Sequence, residues 1–281
     1  MISTTLMIVA PILIAAIGGM ICERSGVINI ALEGLMAIGA MTAAITHVLL
    51  ETSSVLSVPY ALIFAALAGG LLSLTHAFAC VTLKADQIVS GTGINLLSNG
   101  MTVFICQILF RMDRSPNYRM GMRAGLFDVY PTIWVALVIL GAAWFMLYKR
   151  PWGLRLRAAG ENYQAAVSAG VNVTGIRYAA VIISGLLAGL AGACIVLTQD
   201  IQFTVNAING KGFIALAAVS FGRCKPLGIL GSSFLFGLSS SLAVTAVNIN
   251  WLNFLPSEAF NLIPFLITLL TLVVFGRSNN K

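Results

Sequence analysis

The chain has 281 residues, of which 59% are apolar and 9% charged, with a mean hydropathy of +0.96. So much apolar surface exceeds what one water-soluble core can hold, which excludes an ordinary globular protein and indicates a polytopic membrane protein. The net charge of +7 would in a soluble protein raise the question of nucleic acid, but here the cations cluster beside apolar runs, where membrane topology accounts for them and no nucleic-acid partner is expected.

A helix needs about 20 apolar residues to cross the hydrocarbon with every backbone group satisfied. Uncharged runs of that order occur at 1–22, 34–50, 52–83 (interrupted by His76), 87–110, 129–148, 178–199, 226–257 and 259–276. With the short run 212–222 they give eight or nine spans, or ten if a long run holds two. The expected class is an all-α polytopic membrane protein of about 8–10 helices, some of them broken or re-entrant. No Lys or Arg precedes the first run, so it is expected to be a retained helix and not a cleaved signal.

After that run, "NIALEGLM" sets Asn29 and Glu33 on one helical face. A carboxylate in a membrane needs a partner or water, so Glu33 either lines a pathway or sits at the interface, which its closeness to Arg24 favours. His47 and His76 are far apart and are expected to be packed or hydrogen-bonded. "ADQIVSGTGINLLSNG" (85–100) carries Gln87, Ser90, Thr92, Asn95, Ser98 and Asn99 among three glycines at membrane depth. Such a helix either breaks and lines a cavity or packs tightly through its small residues. We take Ser90, Thr92, Asn95 and Asn99 as candidate pathway lining. Residues 111–128 form a loop with Arg111, Arg114, Arg119 and Arg123, a solvated loop or a surface for an acidic partner.

The central segment 149–177 is polar. Asn162 is suited to cap a helix, "YQAAVSA" (163–169) to form two turns, and Gly170 to end them in the left-handed region. A helix this short, far below the roughly 12–15 residues that persist alone in water, must be held by packing. Its alanines make a narrow surface that fits a groove on another protein, through which a soluble motor would pull on the membrane helices. "GLLAGLAGA" (185–193) is a close-packing face. "GKGFIALAAVSFG" (210–222) weakly echoes "GVINIALEGLMAIGA" (26–40), as in transporters built from duplicated halves. Placing 149–177 in the cytoplasm collects Lys149, Arg150, Arg155, Arg157, Arg177, Arg24, Lys84, Arg223, Lys225, Arg277 and Lys281 inside, with the N-terminus outside and the C-terminus cytoplasmic. "NVT" (172–174) then lies on the wrong side for glycosylation. The five cysteines are scattered without paired spacing and read as small apolar residues. No composition shift divides the chain, so 1–281 is expected to be one transmembrane domain with a coupling segment at 149–177.

"RLRAAGENYQAAVSAGVNVTGIRYAAVIISGLLAGLAGA" resembles the coupling-loop signature of ABC-importer permeases of the ribose and branched-chain amino acid class. Arg157, Gly160, Asn162, Ala165, Ala166 and Gly170 fall on that pattern, with Glu161 between them, followed by Ser184, Gly185, Ala188, Gly189, Ala191 and Gly192. The blocks 23–40, 85–97 and 210–228 agree in order, and N-I-x-L-E-G at 29–34 is closer to the nucleoside and simple-sugar branch. Cys224 departs from the usual residue at its position. The resemblance implies a subunit of an importer in the bacterial cytoplasmic (inner) membrane. Its partners would be a second, homologous permease in a heterodimer, a cytoplasmic ATPase, an extracytoplasmic substrate-binding lipoprotein and membrane lipid. This chain has no G-x-x-x-x-G-K-[ST], so ATP would be used by the partner, with no cofactor bound here. The expected solutes are nucleosides or related ribose-containing compounds. A branched-chain amino acid permease, and less favourably a stand-alone secondary transporter, are the alternatives. A membrane enzyme ranks last, because no nucleophile, metal cluster or acid–base pair is visible.

Overall fold

The computed structural model describes residues 2–51, 56–118, 121–122, 125 and 129–247. Ten α-helices follow in order among them: α1 (Ile2–Glu23), α2 (Leu32–Leu50), α3 (Ser57–Ala77), α4 (Gln87–Phe110), α5 (Pro131–Lys149), α6 (Pro151–Glu161), α7 (Tyr163–Ser168), α8 (Val173–Thr198), α9 (Lys211–Phe221) and α10 (Pro226–Val247). A π-helical turn at Phe78–Thr82 extends α3. Among the described residues seven helices are long and apolar enough to span: α1, α2, α3 with its extension, α4, α5, α8 and α10. The chain is an all-α polytopic membrane protein. The run at 212–222 forms α9, whose 11 residues are too short to cross. The expected span at 259–276, residues 248–257, and the cations Arg119, Arg123, Arg277 and Lys281 lie outside the described residues.

α8 is the hub, packed between α1, α2 and α3. Without a hydrophobic force between helices in lipid, close backbone approach has to supply the attraction, and small residues allow it. The "GLLAGLAGA" face does this: any side chain on Gly189 would strike the Ala65 carbonyl of α3. By contrast α4 leaves most of its surface exposed.

Two helices start inside the bundle. After α1 the chain runs in non-helical form through residues 27–29 before α2 begins. There the Asn29 amide donates to Ser184 Oγ at 2.8 Å, and Ser184 lies roughly 17 Å along α8 from its start. α9 starts beside the first turn of α2, where Glu33 accepts from the Gly210 and Gly212 amides at 2.7 Å each. The sequence favours an interfacial Glu33 near Arg24; in the structure Arg24 instead reaches the Cys224 carbonyl beyond the far end of α9. From this junction α2 and α9 run opposite ways. α2 leads to His47, whose ring meets Tyr118 edge-on at 5.0 Å. α9 leads to the Arg24 layer. The two echoing segments are thus both helix starts within the bundle, though I-A-L precedes or opens α2 and falls inside α9.

The cations sort by end. Arg24 binds Cys224, and Arg177 donates to Ser25 O at 3.1 Å and Ala159 O at 3.4 Å, which gathers α1, α6, α8 and the α9–α10 turn at one end. Lys149, Arg150 and Arg157 stack there on Trp144, Phe145 and Tyr148. Arg111 and Arg114 lie at the other end. There Ser115, Tyr118 and Met122 pair with the stretch 197–203 through Ser115 N to Phe203 O (3.1 Å), Tyr118 N to Ile201 O (3.0 Å) and Met122 N to Leu197 O (2.7 Å).

Candidate functional site

Two features carry the candidate chemistry: the short helix α7 and the junction of broken helices. α7 has six residues, and its ends are built as the sequence predicts. Asn162 Oδ1 accepts from Ala165 N at 3.0 Å, and Gly170, at φ 76°, ends the helix in the left-handed region that only glycine enters without strain. Ala166 is buried, while Tyr163, Ala165 and Val167 are exposed, so one alanine pins the helix down and the other faces outward.

Ahead of it runs α6, which the residue pattern offers in Pro151 at its first position and in the buried Gly153, Leu156 and Ala159 at threefold spacing, a signal our sequence reading passes over. Arg157 reaches Gly153 O at 3.4 Å and covers the Tyr148 ring. Gly160 lies so close to the Arg24 carbonyl that no side chain fits, and Glu161, exposed, ends α6. The segment 151–168 is therefore a pair of helices packed on each other and on α8, with Gly160 of α6 set against the turn that follows α1.

At the junction, unwound backbone needs partners in a medium without water. α4 supplies them. Gln87 Oε1 accepts from Ile28 N at 2.7 Å. Asn95 donates to Ile30 O at 3.0 Å and accepts from Gly34 N at 2.8 Å, capping the first turn of α2. Ser90 bonds His76 Nδ1 at 2.9 Å, and His76 Nε2 lies 3.3 Å from Ile28 O. The opposite face of α4 is open. Thr92 and Asn99 are exposed, Thr92 bonding only its own helix at Ile88 O and Val89 O, and Gly93 and Gly100 face empty space. The four polar residues singled out on α4 thus divide: Ser90 and Asn95 hold the broken segment, while Thr92 and Asn99 share an outward stripe. The buried Asn29 Oδ1 and Ser98 Oγ have no hydrogen-bond partner.

A family model described as "Branched-chain amino acid transport system / permease component" matches residues 1–272. The chain belongs to this family. Among curated relatives, the guanosine ABC transporter permease protein NupQ of Bacillus subtilis is 38% identical over 98% of this chain and 92% of its own length. The nucleoside ABC transporter permease protein NupC of Lactococcus lactis is 37% identical, over 94% and 88% respectively. The galactofuranose transporter permease protein YtfT of Escherichia coli is 27% identical, over 94% and 76%. No solved structure matches the chain.

Burial, then the nearby Glu23 carboxylate, push the Cys224 thiol up to about 12, with Arg24 opposing, so it is a protonated, inert residue at neutral pH. At the opposite end burial raises the Asp200 carboxyl above its ordinary range, and Lys211 partly offsets it. Tyr118 hydroxyl donates to the carbonyls of Val196 and Asp200, tying the stretch after α4 to the end of α8 and the segment that leads into α9. Neither this tie nor the Glu33 cap is legible from local sequence, because both partners lie far along the chain.

Proposed function

We propose that this permease is half of the channel of an ATP-driven importer of nucleosides or related ribose-containing solutes, set in the bacterial cytoplasmic membrane with its N-terminus outside and its C-terminus and α6–α7 in the cytoplasm. The observation that carries this reading is α7: a capped six-residue helix that displays Tyr163, Ala165 and Val167 while Ala166 anchors it to the bundle. A separate ATPase closing on ATP grips α7 and turns α6 against α1, and this motion reaches the α2–α9 junction where the two broken helices meet. A second, homologous permease completes the channel, an external lipoprotein delivers the solute, and the chain itself binds no cofactor. The open stripe of α4, with Thr92 and Asn99 beside bare glycines, lines the pathway; uncharged side chains of this kind suit hydroxyl-rich solutes without net charge.

The relatives named for guanosine and nucleosides support the solute class, while the family description and the sugar permease keep wider choices in view. Uptake of labelled guanosine into cells that carry the whole importer tests it. We expect uptake to be abolished by ATP depletion, to survive collapse of the proton gradient, and to be competed by adenosine but not by leucine. Competition by leucine alone transfers the chain to amino acid import, and loss only with the ion gradient makes it a secondary transporter.

A further inference from the structure

The α7 end contains a cleft of about 450 Å³ whose polar lining comes from Lys84, Gln87, Tyr163, Thr174 and Arg177. Its charge is one-sided. Lys84 makes no hydrogen bond or ion pair among the described residues, and it is held at φ 53°, a left-handed backbone that a side-chain-bearing residue adopts at a cost and that often marks a working position. It lies two residues beyond the π-helical turn Phe78–Thr82, a further irregularity that concentrates at functional places. Arg177 binds only backbone carbonyls and stacks on Tyr163 at 5.3 Å, so its charge is not neutralised by a carboxylate. The acid closest in sequence, Asp86, is occupied in capping α4, where it accepts from Ile88 N at 2.8 Å and Val89 N at 3.0 Å. Gln87 is likewise committed to Gly26 and Ile28.

The mouth of this cleft opens beside the surface that α7 displays, because Tyr163 is at once the first residue of α7 and part of the cleft wall. A partner that seats on α7 and covers Tyr163 therefore reaches the wall of the cleft that Lys84 also lines. We propose that the cleft receives an acidic side chain of the ATPase subunit, which inserts between Lys84 and Arg177, beside the Tyr163 ring that Arg177 covers. Two cations around one carboxylate at a closing interface give register and orientation, which an alanine surface alone provides weakly. The proposal rests on the reading of α7 as the ATPase docking helix and adds to it a second, charge-selective contact.

The test uses the assembled importer in lipid nanodiscs with a photo-crosslinking benzoylphenylalanine placed at position 84 or, separately, at position 165. Both are expected to capture the ATPase, and the adduct at 84 to map to a peptide whose acidic residue, once neutralised, removes it. Lys84→Glu should lower solute-stimulated ATP hydrolysis about tenfold at unchanged membrane level, whereas Lys84→Arg stays within about twofold, since Glu sets a like charge against the inserted acid while Arg keeps the positive one. Capture at 165 without capture at 84, an adduct at 84 with lipid only, or hydrolysis unaffected by Lys84→Glu each overturns the cleft while leaving α7 as the docking helix. Capture at neither position removes the docking reading and the cleft with it.

Discussion

Asn95 shows what a single side chain does in this protein. Its amide answers one donor and one acceptor of an unwound segment, and Glu33 answers two donors of α9, in surroundings where no water substitutes. Leaving a buried backbone group unmatched costs about 1–3 kcal/mol. Asn95→Ala and Glu33→Ala should therefore each remove about 2–5 kcal/mol and lower the melting temperature of the purified protein in detergent. Thr92→Ala and Asn99→Ala, on the open stripe, should leave melting unchanged and alter solute uptake. The reverse pattern would return Asn95 to the pathway and Thr92 to the scaffold. The residue types at 85–100 announced that this helix is unlike a lipid-facing one. Which face serves the neighbouring backbone and which stays open depends on Ile28, Ile30 and Gly34, some sixty residues away, and local sequence holds no trace of that register.

At the level of elements, α7 is the piece most fully written in the sequence, because cap, alanine turns and glycine stop are all local chemistry. Asn162→Ala should cost about 1 kcal/mol by leaving the Ala165 amide without its acceptor. Gly170→Ala should cost about as much by forcing a Cβ into the left-handed region at φ 76°. Hydrogen exchange of the amides of 163–169 reads both: faster exchange confined to this segment is expected, and unchanged protection would mean that packing of Ala166 alone holds the helix. α6 escapes notice because its apolar positions are two small residues and a leucine, a stripe too faint to stand out from the surrounding charge. The broken starts of α2 and α9 have a recognisable echo, yet their meeting is set by Glu33 bridging 177 and 179 positions of chain.

For the whole molecule, composition alone forces helices across a membrane, and the clustering of cations brings Arg24, Arg177 and the α9–α10 turn to one end before any contact is known. What composition leaves open is the stack of links between the ends: α6 against the turn after α1, the junction of α2 and α9, and the tie from Tyr118 to the segment leading into α9. If these links transmit motion, ATP hydrolysis and solute movement must part company when the first of them is blocked. The most direct measurement is the ratio of solute imported to ATP hydrolysed in proteoliposomes holding the complete importer, for the wild type and for Ala165→Arg, which changes the exposed face of α7 and leaves Ala166 in place. Hydrolysis is expected to fall to its unstimulated rate or to run on without import, so that the ratio collapses while the protein remains folded in the membrane. An unchanged ratio with unchanged import would contradict this expectation.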